Sequence, residues 1–386
     1  MRCTSSLAIV SLAFAAACSN QGAVAPMPGA NVMAHVRSAT DFRVVWNFDG
    51  GTGDHPLAGL TELNGELYGT ANHGCRYNYG CIFKIDSHGD YRAIHAFDPA
   101  NGDGSRPEGG LLAVNGNLYG TTTQGGARGA SGTIFEVKPD GTEKVIYTFD
   151  PKTTGDHPKG ELVLIGSALY GTTNLGGPAH RGNVFTVGLD GKGAKNLHNF
   201  GGGDGGLPES GLREIGGLLY GTTSIGGEKN QGTVFDIAVD GKAHVVYSFQ
   251  GGTDGAHPAG RVVEVDGVLY GTTSGEGENA HGTAFALQKD GKQKIVHSFT
   301  SDDASPSGGL AVFNGLLYGA TLSGGTNDSG TAFELGTDGK FRVLEKFDTT
   351  NGRFSEGELY VRGSTVYGVT SSGGKYSNGT IYRLTP

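Results

Sequence analysis

Apolar and polar positions alternate in short bursts along this chain, and glycine-containing turns separate the bursts. The stretch from Gly109 shows the unit. Gly109-Gly110-Leu111-Leu112-Ala113-Val114 is a short apolar run, Asn115-Gly116 follows, and Asn117-Leu118-Tyr119-Gly120-Thr121-Thr122-Thr123 is a second run. Asn-Gly between apolar runs predicts a hairpin. After a Gly-Gly loop, Gly132-Thr133-Ile134-Phe135-Glu136-Val137 predicts a third strand. Asp140-Gly141 predicts a tight turn, and Glu143-Lys144-Val145-Ile146-Tyr147-Thr148-Phe149 a fourth strand. These are strands a, b, c and d.

The unit recurs. Tyr68, Tyr119, Tyr170, Tyr220, Tyr270, Tyr318 and Tyr367 each precede a glycine, at spacings of 51, 51, 50, 50, 48 and 49 residues. Strand c carries Phe83, Phe135, Phe185, Phe235, Phe285, Phe333 and Tyr382, and strand d ends in Phe97, Phe149, Phe200, Phe249, Phe299 and Phe347. Four antiparallel strands at a period near fifty predict an all-β fold, a seven-bladed β-propeller with four strands per blade. The Tyr of strand b and the aromatic of strand c are expected between blades, and the glycine after each Tyr at a close backbone approach near the hub. The last repeat stops after strand c, at Gly379 to Leu384. Phe42-Arg43-Val44-Val45-Trp46-Asn47-Phe48 matches strand d and precedes the first strand a. Pairing these two ends closes the ring without an exposed edge.

The phrase Leu-Tyr-Gly-Thr-Thr, then Gly-Gly, Gly-Thr-x-Phe, Asp-Gly and a terminal Phe resembles the GloVer-type tandem repeat of bacterial exported "choice-of-anchor" proteins, over residues 42–386. The Gly-Gly after strand b is also similar to kelch repeats. The resemblance implies an exported repeat protein held by an anchor, and implies no catalytic residues.

The N-terminus fits export. Residues 1–17 hold one charge, at Arg2, and an apolar run from Leu7 to Ala17, a secretory segment too short to span a bilayer. Ala15-Ala16-Ala17-Cys18-Ser19 resembles a lipobox, with lipid on Cys18; the alternative is an ordinary signal peptide cleaved after Ala17. Residues 18–40 read as a lipid-anchored flexible linker, and residues 41–386 as the propeller. The expected location is the outer membrane or cell surface, or the periplasm.

Composition changes little in this picture. The 71 glycines fit many tight turns. The formal charge of −9 and the lack of any basic run argue against a nucleic-acid partner. A monomer is expected.

Candidate chemistry falls on the loops. In a propeller the b–c and d–a loops share one face, and here they vary while the other turns are uniform. Cys75 and Cys81 are the only cysteine pair beyond the N-terminal segment, and export predicts a disulfide. That staple would present Arg76, Tyr77 and Tyr79. Other b–c loops offer Arg128, His180, Arg181, Lys229, Glu276, His281, Lys375 and Tyr376, a mixture suited to glycan or peptide. Asp54-His55-Pro56, Asp156-His157-Pro158 and Ala256-His257-Pro258 recur by position, which reads as loop shaping rather than general-base chemistry. Two Cys and His73 are too few for a closed zinc shell. No cofactor is expected; the Asp-rich turns at Asp49, Asp98, Asp150 and Asp348 offer at most a calcium site. No catalytic motif stands out. The sequence therefore points to a binding module. A lyase or glycosidase using Glu276, Glu278 or Asp54, or a structural envelope protein, are the alternatives.

Overall fold

Seven antiparallel blade sheets follow one another along the chain, each in the order a, b, c, d; blade 5 adds the short strand Ala256–Pro258, and Gly104–Ser105 pairs with Gln124–Gly125 in a separate two-stranded ladder. They belong to a computed structural model that describes residues 41–127 and 131–386. The expected signal segment and linker, with Cys18, and Arg128 lie outside the described residues. Blade 1 is Thr61–Leu63, Glu66–Ala71, Cys81–Ile85 and Tyr91–Ala96. Blade 7 takes Tyr360–Arg362, Thr365–Thr370 and Thr380–Thr385 from the C-terminal end. Its fourth strand is Asp41–Asn47, paired from Asp41 opposite Thr385 to Asn47 opposite Thr380 with a β-bulge between Val44 and Trp46. The strand exchange read from the two ends is thus present.

The repeated phrase builds the junctions between blades, one residue per task. At the first junction Tyr68, Ile82 and Phe97 of blade 1 pack against Leu111, Leu118 and Phe135 of blade 2. The same set fills each later junction. Between blades 7 and 1, Phe48, Val369 and Ile381 meet Leu60, Leu67 and Phe83. Strand b therefore sends its Leu back to the preceding blade and its Tyr on to the next, as successive residues on a strand must. The strand-d Phe of each blade meets the strand-c aromatic of the next at 4.9 to 5.3 Å between ring centroids. Such pairs contribute about 0.5–1.5 kcal/mol each beyond their buried area.

The glycine after each Tyr has a different role from the one expected. Gly120 lies opposite Phe135 in the b–c register, and a Cβ there would sit 2.5 Å from the ring. The glycine makes room for its own blade's aromatic ring. The close backbone approach instead involves strand a, at the hub. A Cβ on Gly160 would lie 2.4 Å from the Gly211 nitrogen, and one on Gly260 would overlap the Gly308 carbonyl. The two threonines that follow Tyr-Gly complete the phrase. Thr222 donates to the Gly260 carbonyl of the next blade (3.0 Å), and Thr223 shares a buried hydroxyl contact with Thr233 of strand c (2.8 Å).

Candidate functional site

Each strand a enters the hub through the same five-residue sequence: a residue, usually Pro, then three inward positions, then Leu or Val. In chain order the first inward position holds Leu57, Glu108, Lys159, Glu209, Ala259, Ser307 and Glu356. The third holds Gly59, Gly110, Glu161, Gly211, Arg261, Gly309 and Glu358. These residues line a central channel enclosing about 320 Å³.

The third ring stops the channel. Four of its seven residues are glycine, and the space they leave is taken by three long charged side chains. A Cβ on Gly309 would come within 2.7 Å of the Glu358 carboxylate. Arg261 reaches Glu161 at 2.9 Å and Glu358 at 2.5 Å, and Arg213 joins Glu358 at 2.8 Å. Burial would raise the Glu358 carboxyl, but the guanidiniums of Arg261 and Arg213 outweigh it and hold the group below its usual range. Burial prevails at Glu161, which is raised despite Arg261. Arg261 stays protonated: burial opposes its charge, and the two carboxylates overcome it. Two arginines against two carboxylates make a neutral plug.

Above the plug the first ring holds Glu108, Glu209, Glu356 and Lys159, a mouth of net two negative charges. Each carboxylate is held by a hydroxyl from strand b's end: Thr123 on Glu108 (3.3 Å), Ser224 on Glu209 (3.4 Å) and Ser371 on Glu356 (2.7 Å). Burial raises the Glu356 carboxyl above its ordinary range. Lys159 lies 3.7 Å from Glu108. Such a mouth suits a cationic or hydroxyl-rich group, because its acceptors are fixed by the scaffold.

The residue before each of these five-residue sequences forms the rim. His55, Arg106, His157, Leu207, His257, Ser305 and Phe354 all adopt φ between 52° and 60°, a left-handed backbone unusual for such residues. Their backbone bonds show the reason. His157 N–H donates to the Ser131 carbonyl of the preceding blade's b–c loop, and its own carbonyl accepts from Asn174 of the next. Leu207 and Ser305 make the same two bonds. The Asp-His pairs are real contacts, 2.6 Å at Asp54–His55 and 2.8 Å at Asp156–His157, but the position is a loop tie that Leu or Phe fills as well. These bonds place the b–c and d–a loops on one face, as the sequence suggests.

On that face Cys75 and Cys81 form a disulfide. Tyr77 and Tyr79 stand exposed in the stapled loop, with the Arg76 guanidinium 5.1 Å from the Tyr77 ring centroid. The blade 7 loop matches it, with Tyr376 exposed and Lys375 4.9 Å from its ring. The d–a loop from Gly50 to His55 touches both: Gly50 accepts from Cys75 N–H, and His55 N–H donates to Asn378. Sequence-named residues of blades 1 and 7 are thereby brought onto adjoining loops.

The other described ones are spread round the face, and among them none lines the channel. His180 and Lys229 are exposed. Arg181 lies along Gly202 and Gly206 of the neighbouring loop. Glu276 accepts from Gly252 N–H at 3.2 Å, and the His281 carbonyl accepts from Ser305. Sequence reasoning missed the channel residues. Their signal was the third inward position, where Glu161, Arg261 and Glu358 interrupt a run of glycines.

Comparison with known proteins adds the family. The Gloeobacter/Verrucomicrobia repeat model matches residues 31–131, 100–285 and 260–386. No curated protein matches the sequence. Among solved structures, one from a nidogen/laminin complex is 15% identical, covers 72% of this chain and 93% of its own, and has a TM-score of 0.47. A luciferin-regenerating enzyme is 14% identical over 72% and 91%, with a TM-score of 0.45. A gluconolactonase from Xanthomonas campestris is 12% identical over 87% and 88%, with a TM-score of 0.43. These likenesses say nothing of ligand or reaction. The repeat model spans the whole propeller, and the chain belongs to the Gloeobacter/Verrucomicrobia repeat family.

Proposed function

We propose that this protein is an exported, lipid-anchored binding module that takes a glycan on the loop face at blades 1 and 7. One observation carries the reading: Tyr77, Tyr79 and Tyr376 stand exposed on two loops that are both tied by backbone bonds to the Gly50–His55 loop. A propeller ordinarily buries its rings between blades, as the strand-c and strand-d aromatics do here. Exposed tyrosines offer flat apolar faces with a polar tip, and Arg76 and Lys375 beside them offer donors for hydroxyl groups. The disulfide and the Gly50–His55 loop hold these groups in place before any ligand arrives, which lowers the ordering cost of binding.

A glycan and peptide array probed with residues 41–386 tests this. Glycan hits that vanish when Tyr77, Tyr79 and Tyr376 become alanine support the reading, and peptide hits alone replace it with a protein ligand. For the anchor, Cys18→Ala should release the protein from membranes, and retention would contradict lipidation.

A further inference from the structure

The outer rim follows a pairing rule, and one junction breaks it. The residue two before the strand-d Phe of one blade faces the residue six before the strand-d Phe of the next. Trp46 stacks on Tyr91 at 4.5 Å, and His297 stacks on Phe341 at 4.0 Å. In chain order the second member of each pair is Phe42, Tyr91, Glu143, Ala194, Ala243, Gln293 or Phe341. Only the junction of blades 1 and 2 places a carboxylate there, opposite His95.

The first member commonly clasps its own d–a loop. His198 meets Asp204 at 2.7 Å, and Tyr247 donates to Asp254 at 2.8 Å. His95 and Asp103, 2.9 Å apart, make the same clasp. A loop clasp needs no third acid. Yet Glu143 faces the pair, and its Oε1 is out of contact with water and lacks a hydrogen-bond partner. An unpaired carboxylate oxygen beside a second carboxylate is costly unless something positive lies between them.

We propose that His95, Asp103 and Glu143 bind one first-row divalent cation of the zinc class. One imidazole nitrogen and one oxygen from each carboxylate lie within 4.8 Å of one another. Bonds of about 2.0–2.2 Å place tetrahedral ligands roughly 3.4 Å apart, so closure needs only rotamer-scale movement. Asp103 is oriented by backbone: Gly104 N–H donates to Oδ1 at 2.7 Å and Asp98 N–H to Oδ2 at 3.2 Å. The His95 ring lies edge-on to Phe97, centroids 5.0 Å apart. Such supports fix ligand geometry before the ion arrives. The imidazole disfavours calcium and magnesium, which take oxygen ligands. Three protein ligands leave a fourth position open towards the recess lined by Tyr77, Asp98 and Asn101. The site stands whether or not a glycan binds at Tyr77.

Titration of EDTA-stripped full-length protein with zinc chloride tests the assignment. One site is expected, and Glu143→Gln should weaken it at least about tenfold. Gln293 fills the equivalent slot in blade 5, so a glutamine there is compatible with folding. His198→Asn, in the clasp without a third acid, should change nothing. Cobalt(II) should give tetrahedral visible absorption in the wild type and lose it in Glu143→Gln. Equal zinc affinity in wild type and Glu143→Gln, or calcium bound in preference to zinc, would overturn the proposal.

Discussion

At the junctions between blades the same residue types return seven times, whereas the channel wall and the outer rim change from blade to blade. The junctions are apolar and need only volume, so one set of Leu, Tyr, Gly and Phe serves the blades, with Val366 and Tyr382 standing in at blade 7. The third ring of the channel mostly repeats glycine, and the three departures, Glu161, Arg261 and Glu358, find one another across the bore. A repeat protein thus separates its tasks. Repeated residues set shape, and residues that interrupt the repeat are free to acquire chemistry.

That contrast can be broken in graded ways. The largest effect should come from deleting residues 41–48, which removes the fourth strand of blade 7 and the Phe48 side of its junction. The expected outcome is unfolding or oligomerisation in size-exclusion and melting experiments; a truncated chain that melts like the parent would refute the strand exchange. Next, Phe249→Ala should cost about 3–5 kcal/mol in denaturant unfolding, the usual penalty for emptying a buried ring site. Arg261→Leu should cost about 3 kcal/mol, because it strands Glu161 and Glu358 together. Replacing Glu161, Arg261 and Glu358 together by glycine, the repeat's own default, should cost less than Arg261→Leu alone. A triple variant that is the weaker of the two would mean that the plug stabilises the ring rather than merely filling it.

The smallest effect concerns pH. Glu143 is pushed up to about 7, first by burial and then by Asp103. A carboxyl raised in the folded state favours folding while protonated, so its contribution is present at acid pH and is lost as pH rises through about 7. In EDTA, stability should fall by about 1–2 kcal/mol between pH 4.5 and 7.5, discounted for partial exposure, and Glu143→Gln should remove that slope. An identical slope in the variant would assign it to another group.

The fold was legible because it is periodic. Tyr68 to Tyr367 count the blades, and the lone strand at Phe42–Phe48 shows how the ends meet. The disulfide followed from two cysteines in one short loop. The channel was not legible, because which strand-a residue faces the axis depends on register against the hub. Glu161 reads as one more polar residue before Leu162 until the ring is assembled. Glu143 has the same history: in an alternating strand it looks solvated, and only the neighbouring blade puts His95 and Asp103 before it. The sequence found the exposed tyrosines but not the ties between their loops, which are backbone bonds from the Gly50–His55 loop.

The central claim is that departures from the repeat, not the repeat itself, hold the function. Titrating the array-identified glycan into the Tyr77, Tyr79 and Tyr376 triple alanine variant tests it most directly. The account predicts at least about a tenfold loss of affinity, the scale of removing exposed stacking contacts, with a melting curve like the parent's. Unchanged affinity would contradict it.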